Sequence, residues 1–255
     1  SADIVETNLT ATSNIGLGAN AVDSITTGDY NVGLGDDAGT AITSGHRNTA
    51  IGVDSMKAHT TGNNNTSLGY QTLLADTTGA QNVAIGKDAL KTNTTAADNT
   101  AVGTQALKLN TTGANNTAVG KQALEANTTG TPNTAVGTSA LGANTTGNNG
   151  VAVGYNALAL NTTGTSNTAV GWSALDANTT ASSITAVGTH ALGANTTGAN
   201  NTTVGANSLQ LNTTGGSNTA VGKSALNANT TGSQNVGVGQ EAMANNTTAS
   251  DNTAI

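Results

Sequence analysis

The chain has 255 residues and a formal net charge of -7, because 7 Lys and Arg residues stand against 14 Asp and Glu residues. This charge disfavours nucleic acid as a partner, and the absence of Cys excludes disulfides, a thiol nucleophile and a Cys-ligated metal. Aromatic residues make up only 2% of the chain, too few to fill an ordinary globular core, and no apolar run approaches the roughly 20 residues of a membrane span.

One glycine recurs every 17 residues without insertion or deletion. It stands at Gly18, Gly35, Gly52, Gly69, Gly86, Gly103, Gly120, Gly137, Gly154, Gly171, Gly188, Gly205, Gly222 and Gly239. A surface loop tolerates changes of length, whereas a turn stacked between identical turns does not. The spacing predicts an all-β fold, a parallel β-solenoid of about 15 rungs of 17 residues that forms a single domain over residues 1–255.

The two ends of the chain depart from the regular repeat. Residues 1–17 form a degenerate first repeat, in which Val5, Asn8 and Thr10 fall in the Leu, Asn and second Thr positions. Regular repeats occupy residues 18–255, and the last one stops at Ile255, one residue before the next glycine is due. Since an uncovered solenoid end exposes an open strand edge, we expect a segment of a longer fibre protein or ends covered by another element.

The first half of each rung is an Asn followed by a predicted strand. This Asn lies four residues before the repeat glycine in 12 of the 14 repeats, and stacked copies are expected to form an amide ladder. The next residues alternate between a β-branched residue, a small residue and an aliphatic residue, as in Thr100, Ala101 and Val102. Alternation of this kind is typical of a strand with one buried face.

A second strand is predicted after the glycine. The fourth residue is mostly Leu, with Gly39 as the exception, and the sixth is usually Ala, with Leu109, Leu160 and Leu211 as the larger variants. Both positions are expected to face inward, and the variable residue between them outward. The Asn-Thr-Thr-Gly sequence that follows predicts the corner that returns the chain to the next rung.

The predicted core is thin. Each rung buries about two large aliphatic side chains, worth about 1.5–3 kcal/mol apiece. Ordering the backbone costs on the order of 1–2 kcal/mol per residue. The stability must therefore come from contacts between rungs and from packing against other chains, which predicts a homo-oligomer.

Strings such as NTAVGKQAL, NTAVGTSAL and NVAIGKDAL resemble the head repeats of trimeric autotransporter adhesins. They are still more similar to the NTAIG…AL…NTTG repeats of many phage tail-fibre and bacterial surface proteins, and the resemblance covers essentially the whole chain. It implies a left-handed β-roll, three chains side by side, and an extracellular place on a virion fibre or cell surface. The 17-residue repeat is longer than the usual adhesin repeat. The resemblance also assigns a core role to Val102, Val119 and Val136 and a turn role to Gly103, Gly120 and Gly137.

The sequence contains little that points to catalysis. His46, His59 and His190 occupy unrelated positions in the repeat and are interpreted as solvated or turn residues, so no metal or triad spacing appears. Asp36, Asp37 and Asp54 are the candidate cation ligands, and Asp37 and Asp54 also suit the carboxylate pair of a retaining glycosidase. The alternative is a set of exposed acids that keep the rod soluble. We expect no enzyme activity, metal or cofactor.

Tyr70, Tyr155 and Trp172 share the position directly after the repeat glycine and are the candidate receptor- or glycan-binding residues. Tyr155 and Trp172 stand one rung apart in this position, so their rings are expected to present a stacked aromatic surface. Packing against a neighbouring chain is the alternative role for these residues. The Asn-Thr-Thr triplets from Asn93 to Asn246 also match glycosylation acceptors, although the repeat already explains them as turns.

These observations favour a non-enzymatic structural or adhesive fibre segment that displays variable residues to a receptor or glycan. One alternative is an ice-binding solenoid, although the adjacent Thr residues of Asn-Thr-Thr are expected to point to opposite faces. The other alternative is a glycan-cleaving solenoid that uses Asp37 and Asp54.

Overall fold

The computed structural model describes residues 11–255, so Val5, Asn8 and Thr10 of the predicted first repeat lie outside the described residues. The chain divides into two compact units, Ser1–Thr129 and Gly130–Ile255. Both are built from the same rung, in which the regular element is a strand of two or three residues. No helix occurs in the described part of the chain.

Each unit is a ladder of parallel strands. The first unit contains β1 (Ile15–Leu17), β2 (Val32–Leu34), β3 (Thr49–Ile51), β4 (Thr66–Leu68), β5 (Val83–Ile85), β6 (Thr100–Val102) and β7 (Thr117–Val119). The second contains β8 (Thr134–Val136), β9 (Val151–Val153), β10 (Thr168–Val170), β11 (Thr185–Val187), β12 (Thr202–Val204), β13 (Thr219–Val221), β14 (Val236–Val238) and β15 (Thr253–Ala254). Within a unit each strand pairs with the next in register, as Ala169 does with Ala186. This register confirms the parallel β-solenoid with its 17-residue rung.

The repeat glycine lies at the turn that ends each strand. Gly103, Gly120 and Gly137 have φ values of 138°, 134° and 135°, which confirms the turn role assigned to them. At Gly171, where φ is +139°, an added Cβ would lie 2.5 Å from the carbonyl oxygen of Gly188 in the next rung. Glycine is therefore required both by the backbone torsion and by the close approach of the neighbouring rung.

The strands bury their small middle residue, contrary to the core role expected for the aliphatic residue beside it. Ala101 and Ala118 are fully buried, whereas Val102 is half-buried and Val119 and Val136 are each 37% exposed. The predicted alternation is confirmed, and within one chain the buried face is that of the small middle residue. A short rung leaves space inside for a methyl group opposite the Leu of the turn, and the β-branched and aliphatic side chains face out.

The predicted second strand is also wrong, because the chain after the glycine is a series of turns. Gln105 and Leu107 have φ values of 62° and 50°, in the left-handed region. As a result Ala106 and Leu107, adjacent in sequence, are both fully buried, whereas Leu109 is 42% exposed. The left-handed Leu costs roughly 1–2 kcal/mol. The cost is offset by its burial and by its N–H, which donates to the Ala123 carbonyl at 3.0 Å.

The residue six positions after the repeat glycine is exposed wherever it is a Leu. Leu160 and Leu211, predicted to face inward like Leu109, are 55% and 48% exposed. Gly39, the exception at the buried Leu position, makes room for Ile42: an added Cβ would lie 2.9 Å from Ile42 Cδ1. Ile42 in turn packs in an apolar cluster with Val22 and Ile25.

The predicted amide ladder is confirmed at the position four residues before the glycine. Asn65 Nδ2 donates to Asn48 Oδ1 at 3.0 Å, and the backbone N–H of Asn65 donates to the same oxygen at 3.0 Å. Asn65 Nδ2 also donates to the Gly79 carbonyl at 2.9 Å. One buried side chain thus fixes the strand entry to both adjacent rungs.

A second amide ladder runs through the Asn of Asn-Thr-Thr-Gly, which the sequence predicted only as a corner. Asn178 Nδ2 donates to Asn161 Oδ1 at 2.9 Å and to the Ala181 carbonyl at 3.1 Å. The Asn side chains of this column are buried from Asn93 to Asn229. In the folded chain their amide nitrogens are therefore inaccessible as glycosylation acceptors.

We expect Gly171→Ala to destabilise the second unit by about 1–3 kcal/mol, because the left-handed torsion and the clash with the next rung act together. Gly193→Ala is the matched control in the same unit, since its added Cβ would meet nothing closer than 3.5 Å. Chemical denaturation followed by circular dichroism measures both. Equal losses of stability in the two variants would contradict the role given to the glycine turn.

Candidate functional site

Two exposed aromatic rings lie on adjacent rungs of the second unit. Tyr155 and Trp172 each follow a repeat glycine, and the in-register pairing of β9 and β10 aligns the two turns. Their ring centroids are 6.4 Å apart and their planes differ by 13°, while the residues remain 51% and 49% exposed. The predicted stacking of these two rings is confirmed, and a binding role for them stays a prediction.

A third ring, that of His190, joins this pair. His190 contacts Trp172 edge-to-face, with ring centroids 4.3 Å apart and an interplanar angle of 82°. Sequence reasoning missed the contact because His190 stands two residues after its glycine, whereas Trp172 stands one residue after its own. The sequence did contain an indication of this contact, because the two residues lie in equivalent turns of consecutive rungs.

Asp176 is a half-buried carboxylate that interacts with His190 and with Ser173, the residue after Trp172. Burial raises the pKa of Asp176, while a charge interaction with His190 and a hydrogen bond with Ser173 act in the opposite direction. Its side chain lines an open recess of about 230 Å³ together with Asn156, Ala159, Leu160 and Ala177. The second unit thus brings aromatic rings, a carboxylate and an amide to the surface of neighbouring rungs.

Tyr70, the remaining aromatic candidate, belongs to the first unit. It is 47% exposed, but the same position on the adjacent rungs holds Val53 and Lys87, and no ring contact of Tyr70 is present among the described residues. Tyr70 is therefore an isolated aromatic side chain in an equivalent turn.

Asp37 and Asp54 come together on the surface of the first unit, as the stacking predicts, and Lys57 lies between them. The Lys57 ammonium is 2.9 Å from a carboxylate oxygen of each. Hydrogen bonds from Asn20 and Lys57 lower the pKa of Asp37, and those from Lys57 and Gln71 lower the pKa of Asp54. Both carboxylates are thus ionised at neutral pH, the opposite of what a general acid of a glycosidase requires.

The third acidic candidate, Asp36, accepts a hydrogen bond from the Ala19 backbone N–H at 3.0 Å. Within residues 11–255 no cluster of three or more His, Cys, Asp or Glu side chains is arranged to hold a metal ion. The positive charge shared by Asp37 and Asp54 is the ammonium of Lys57.

His59, interpreted from sequence as solvated or in a turn, is fully buried and pairs with Asp76. His59 Nδ1 is 2.6 Å from Asp76 Oδ2, and both side chains are inaccessible to solvent. The interpretation was wrong because His59-Thr60-Thr61-Gly62 and Asp76-Thr77-Thr78-Gly79 align with Asn-Thr-Thr-Gly. That alignment indicates burial of both residues, since the Asn column forms a ladder in the interior. His46 does lie in a turn, where its Nδ1 accepts from the Asp29 N–H at 2.9 Å.

Further hydrogen-bonding contacts surround this pair. His59 Nε2 lies 2.9 Å from the Gly62 carbonyl oxygen and 3.4 Å from Asn65 Nδ2. The other Asp76 oxygen accepts from Asn93 Nδ2 at 2.6 Å. The pair is therefore a buried, hydrogen-bonded His–Asp contact that begins the amide ladder, and its burial makes it a structural feature.

No protein-family model matches the chain, and no curated protein is significantly similar to it. Over residues 11–255 there is no helix with the length and apolar character needed to cross a membrane.

We expect His59→Leu to destabilise the first unit by about 3–5 kcal/mol, because it leaves the Asp76 side chain buried without its His59 partner. Asp76→Asn should change the stability by only about 1 kcal/mol, since the amide can still accept from Asn93 and hydrogen-bond to His59. Urea unfolding of the two variants provides the measurement. A loss in Asp76→Asn as large as that in His59→Leu would contradict the view that hydrogen bonding at this position is what stabilises the unit.

Proposed function

We propose that the chain is a non-enzymatic structural and adhesive fibre segment, in which identical copies lie side by side through the outward faces of their strands. The observation that carries this proposal is the composition of that outward face. The first residue of each three-residue strand is Thr, Val or Ile, and the third is Val, Leu or Ile. We call these two columns the strand face.

The strand face is half-buried to exposed and carries no charge. Val153, Val204 and Val221 of the second unit are 36%, 41% and 37% exposed, and the middle residues of their strands, Ala152, Thr203 and Ala220, are buried. Contiguous apolar surface of this kind marks an interaction site. Because the rungs repeat at a β-strand spacing of about 4.8 Å, a second copy offers β-branched side chains at the same interval.

The inner core also supports assembly. Its typical rung buries a single Leu and two Ala side chains, such as Leu158, Ala157 and Ala152. So little buried apolar area leaves a marginal chain, which side-by-side packing stabilises. The residues that the adhesin resemblance places in the core, Val102, Val119 and Val136, then pack between chains.

The finer features of the proposal rest on the resemblance stated above. They are a left-handed coil, three chains, flanking fibre segments and an extracellular position on a virion tail fibre or cell surface. A receptor or glycan then contacts the variable turn residues, which lie outside the strand face.

Sedimentation velocity tests the assembly, with a trimer expected for the wild-type chain. The double variant Val153→Lys/Val170→Lys should sediment as a monomer, because stacked ammonium groups in the strand face prevent packing. Thr163→Lys/Thr180→Lys is the control, since it adds the same charge at exposed corner positions of the second unit and should leave the trimer intact. A wild-type monomer, or equal dissociation of both variants, would refute the proposal.

Ice binding is the second candidate, and the strand face is the observation that favours it. Thr168 and Thr185, which pair in register, repeat at the strand spacing beside the Val170 and Val187 column. Hydroxyl and methyl groups thus repeat along two directions. The Thr pairs of the corner do not supply such a face: the first, as at Thr162, donates its hydroxyl to the Thr179 carbonyl at 3.0 Å.

Thermal hysteresis separates the two candidates. A monomeric wild type whose hysteresis disappears in Val153→Lys/Val170→Lys, but persists in Thr163→Lys/Thr180→Lys, would favour ice binding. A trimer without hysteresis above that of a non-binding protein at the same concentration would eliminate it.

A further inference from the structure

We propose that the second unit carries a saccharide-binding site, formed by the rings of Tyr155, Trp172 and His190 beside the recess that holds Asp176. The ligand is an uncharged oligosaccharide of hexopyranose units. This inference rests on the proposed adhesive function, to which it adds the ligand class and the residues that bind it.

The recess arises from a local interruption of the repeat. The variable position five residues after the glycine holds small side chains on the rungs that flank Asp176: Gly142 and Ala159 before it and Gly193 after it. The same position holds longer side chains elsewhere, including Lys91, Lys108, Glu125, Gln210 and Asn227. Because the side chains on the flanking rungs are small, an open volume of about 230 Å³ lies beside the half-buried Asp176.

The aromatic part of the site is held in place before any ligand binds. Trp172 is stacked with Tyr155 and contacts the edge of His190, yet about half of it stays exposed. The turns that carry the three residues are fixed by inter-rung hydrogen bonds, such as that from the His190 N–H to the Trp172 carbonyl at 3.0 Å. A ligand therefore finds rings whose conformational entropy is already reduced, which favours binding.

The chemistry of the group selects a sugar. Aromatic rings offer an apolar surface to the C–H groups of a pyranose, and the recess offers the Asp176 carboxylate and the Asn156 amide to its hydroxyls. Burial raises the pKa of Asp176, so a hydroxyl donor that enters the recess relieves a desolvated acceptor. The same carboxylate, in a chain of net charge -7, disfavours anionic sugars.

The position of the site argues against a second copy of the chain as its occupant. Contact between copies is expected to use every rung, as the strand face does. The aromatic group is confined to consecutive rungs, since its column holds Lys121 and Thr138 before Tyr155, and Thr189 and Ala206 after Trp172. A local group on a repeated surface fits a ligand of limited size.

Trp172 is the only Trp of the chain, so its fluorescence reports on this site alone. The probes are hexasaccharides of β-1,4-linked glucose, α-1,4-linked glucose and β-1,4-linked N-acetylglucosamine, with an oligogalacturonide of equal length as the anionic comparison. We expect a saturable change in Trp172 fluorescence with at least one uncharged probe. The anionic probe should bind about tenfold or more weakly than that probe.

Three variants decide the assignment. Tyr155→Ser and Asp176→Asn should each weaken the affinity for the bound probe by about fivefold or more. Tyr70→Ser, which replaces an exposed Tyr in the equivalent turn of the first unit, should leave this affinity within about twofold of the wild-type value. Circular dichroism confirms that each variant is folded.

The saccharide site would be overturned if Trp172 fluorescence shows no saturable change with any uncharged probe up to about 10 mM. A dissociation constant above that concentration corresponds to a binding free energy weaker than about 3 kcal/mol. Equal weakening by Tyr70→Ser and Tyr155→Ser would overturn it as well. So would Trp172 fluorescence that depends on protein concentration and not on sugar, because a second copy then covers the rings. Sedimentation of the same samples reports on assembly separately, so a trimer without sugar binding removes this inference and leaves the fibre proposal standing.

Discussion

In this chain the backbone of each rung hydrogen-bonds chiefly to the rungs 17 residues away. The N–H of Gly171 donates to Val153 at 2.8 Å, and that of Leu175 donates to Ala191 at 2.9 Å. Every side chain is consequently stacked on the equivalent side chain of the adjacent rungs. A residue type suits the fold only if it tolerates a copy of itself at about the strand spacing. Like charges placed so close repel, which agrees with a charged content of only 8%.

Asn and Thr meet this requirement because each carries both a donor and an acceptor. An Asn column bonds to itself, as Asn178 does to Asn161, and Thr162 donates its hydroxyl to the backbone of the next rung. Several acidic groups have a complementary neighbour. Asp76 has the imidazole of His59, and Asp37 and Asp54 share the ammonium of Lys57. The same rule thus governs the interior and the surface.

The repetition also shows where function can be located. A surface formed by every rung, such as the uncharged strand face, suits a partner with the same period. A surface formed by a few rungs, such as Tyr155, Trp172 and His190 beside Asp176, suits a ligand of limited extent. The two surfaces use different columns, so an assembled fibre can keep the second one accessible.

The sequence alone determined the 17-residue rung, the parallel register, the turn glycines, the first amide ladder and the stacking of Tyr155 on Trp172, because a fixed period dictates which residues are stacked. It did not determine which side of the backbone faces inward. Ala101 is buried and Val102 is only half-buried, since the inward strand position holds small side chains: Gly, Ala, Ser or Thr. Nor did it show that Leu107 adopts a left-handed torsion, which burial and hydrogen bonds to the next rung stabilise against the intrinsic preference of Leu. The interior position of His59 and the recess at Asp176 follow from those turns, so only the tertiary structure decided them.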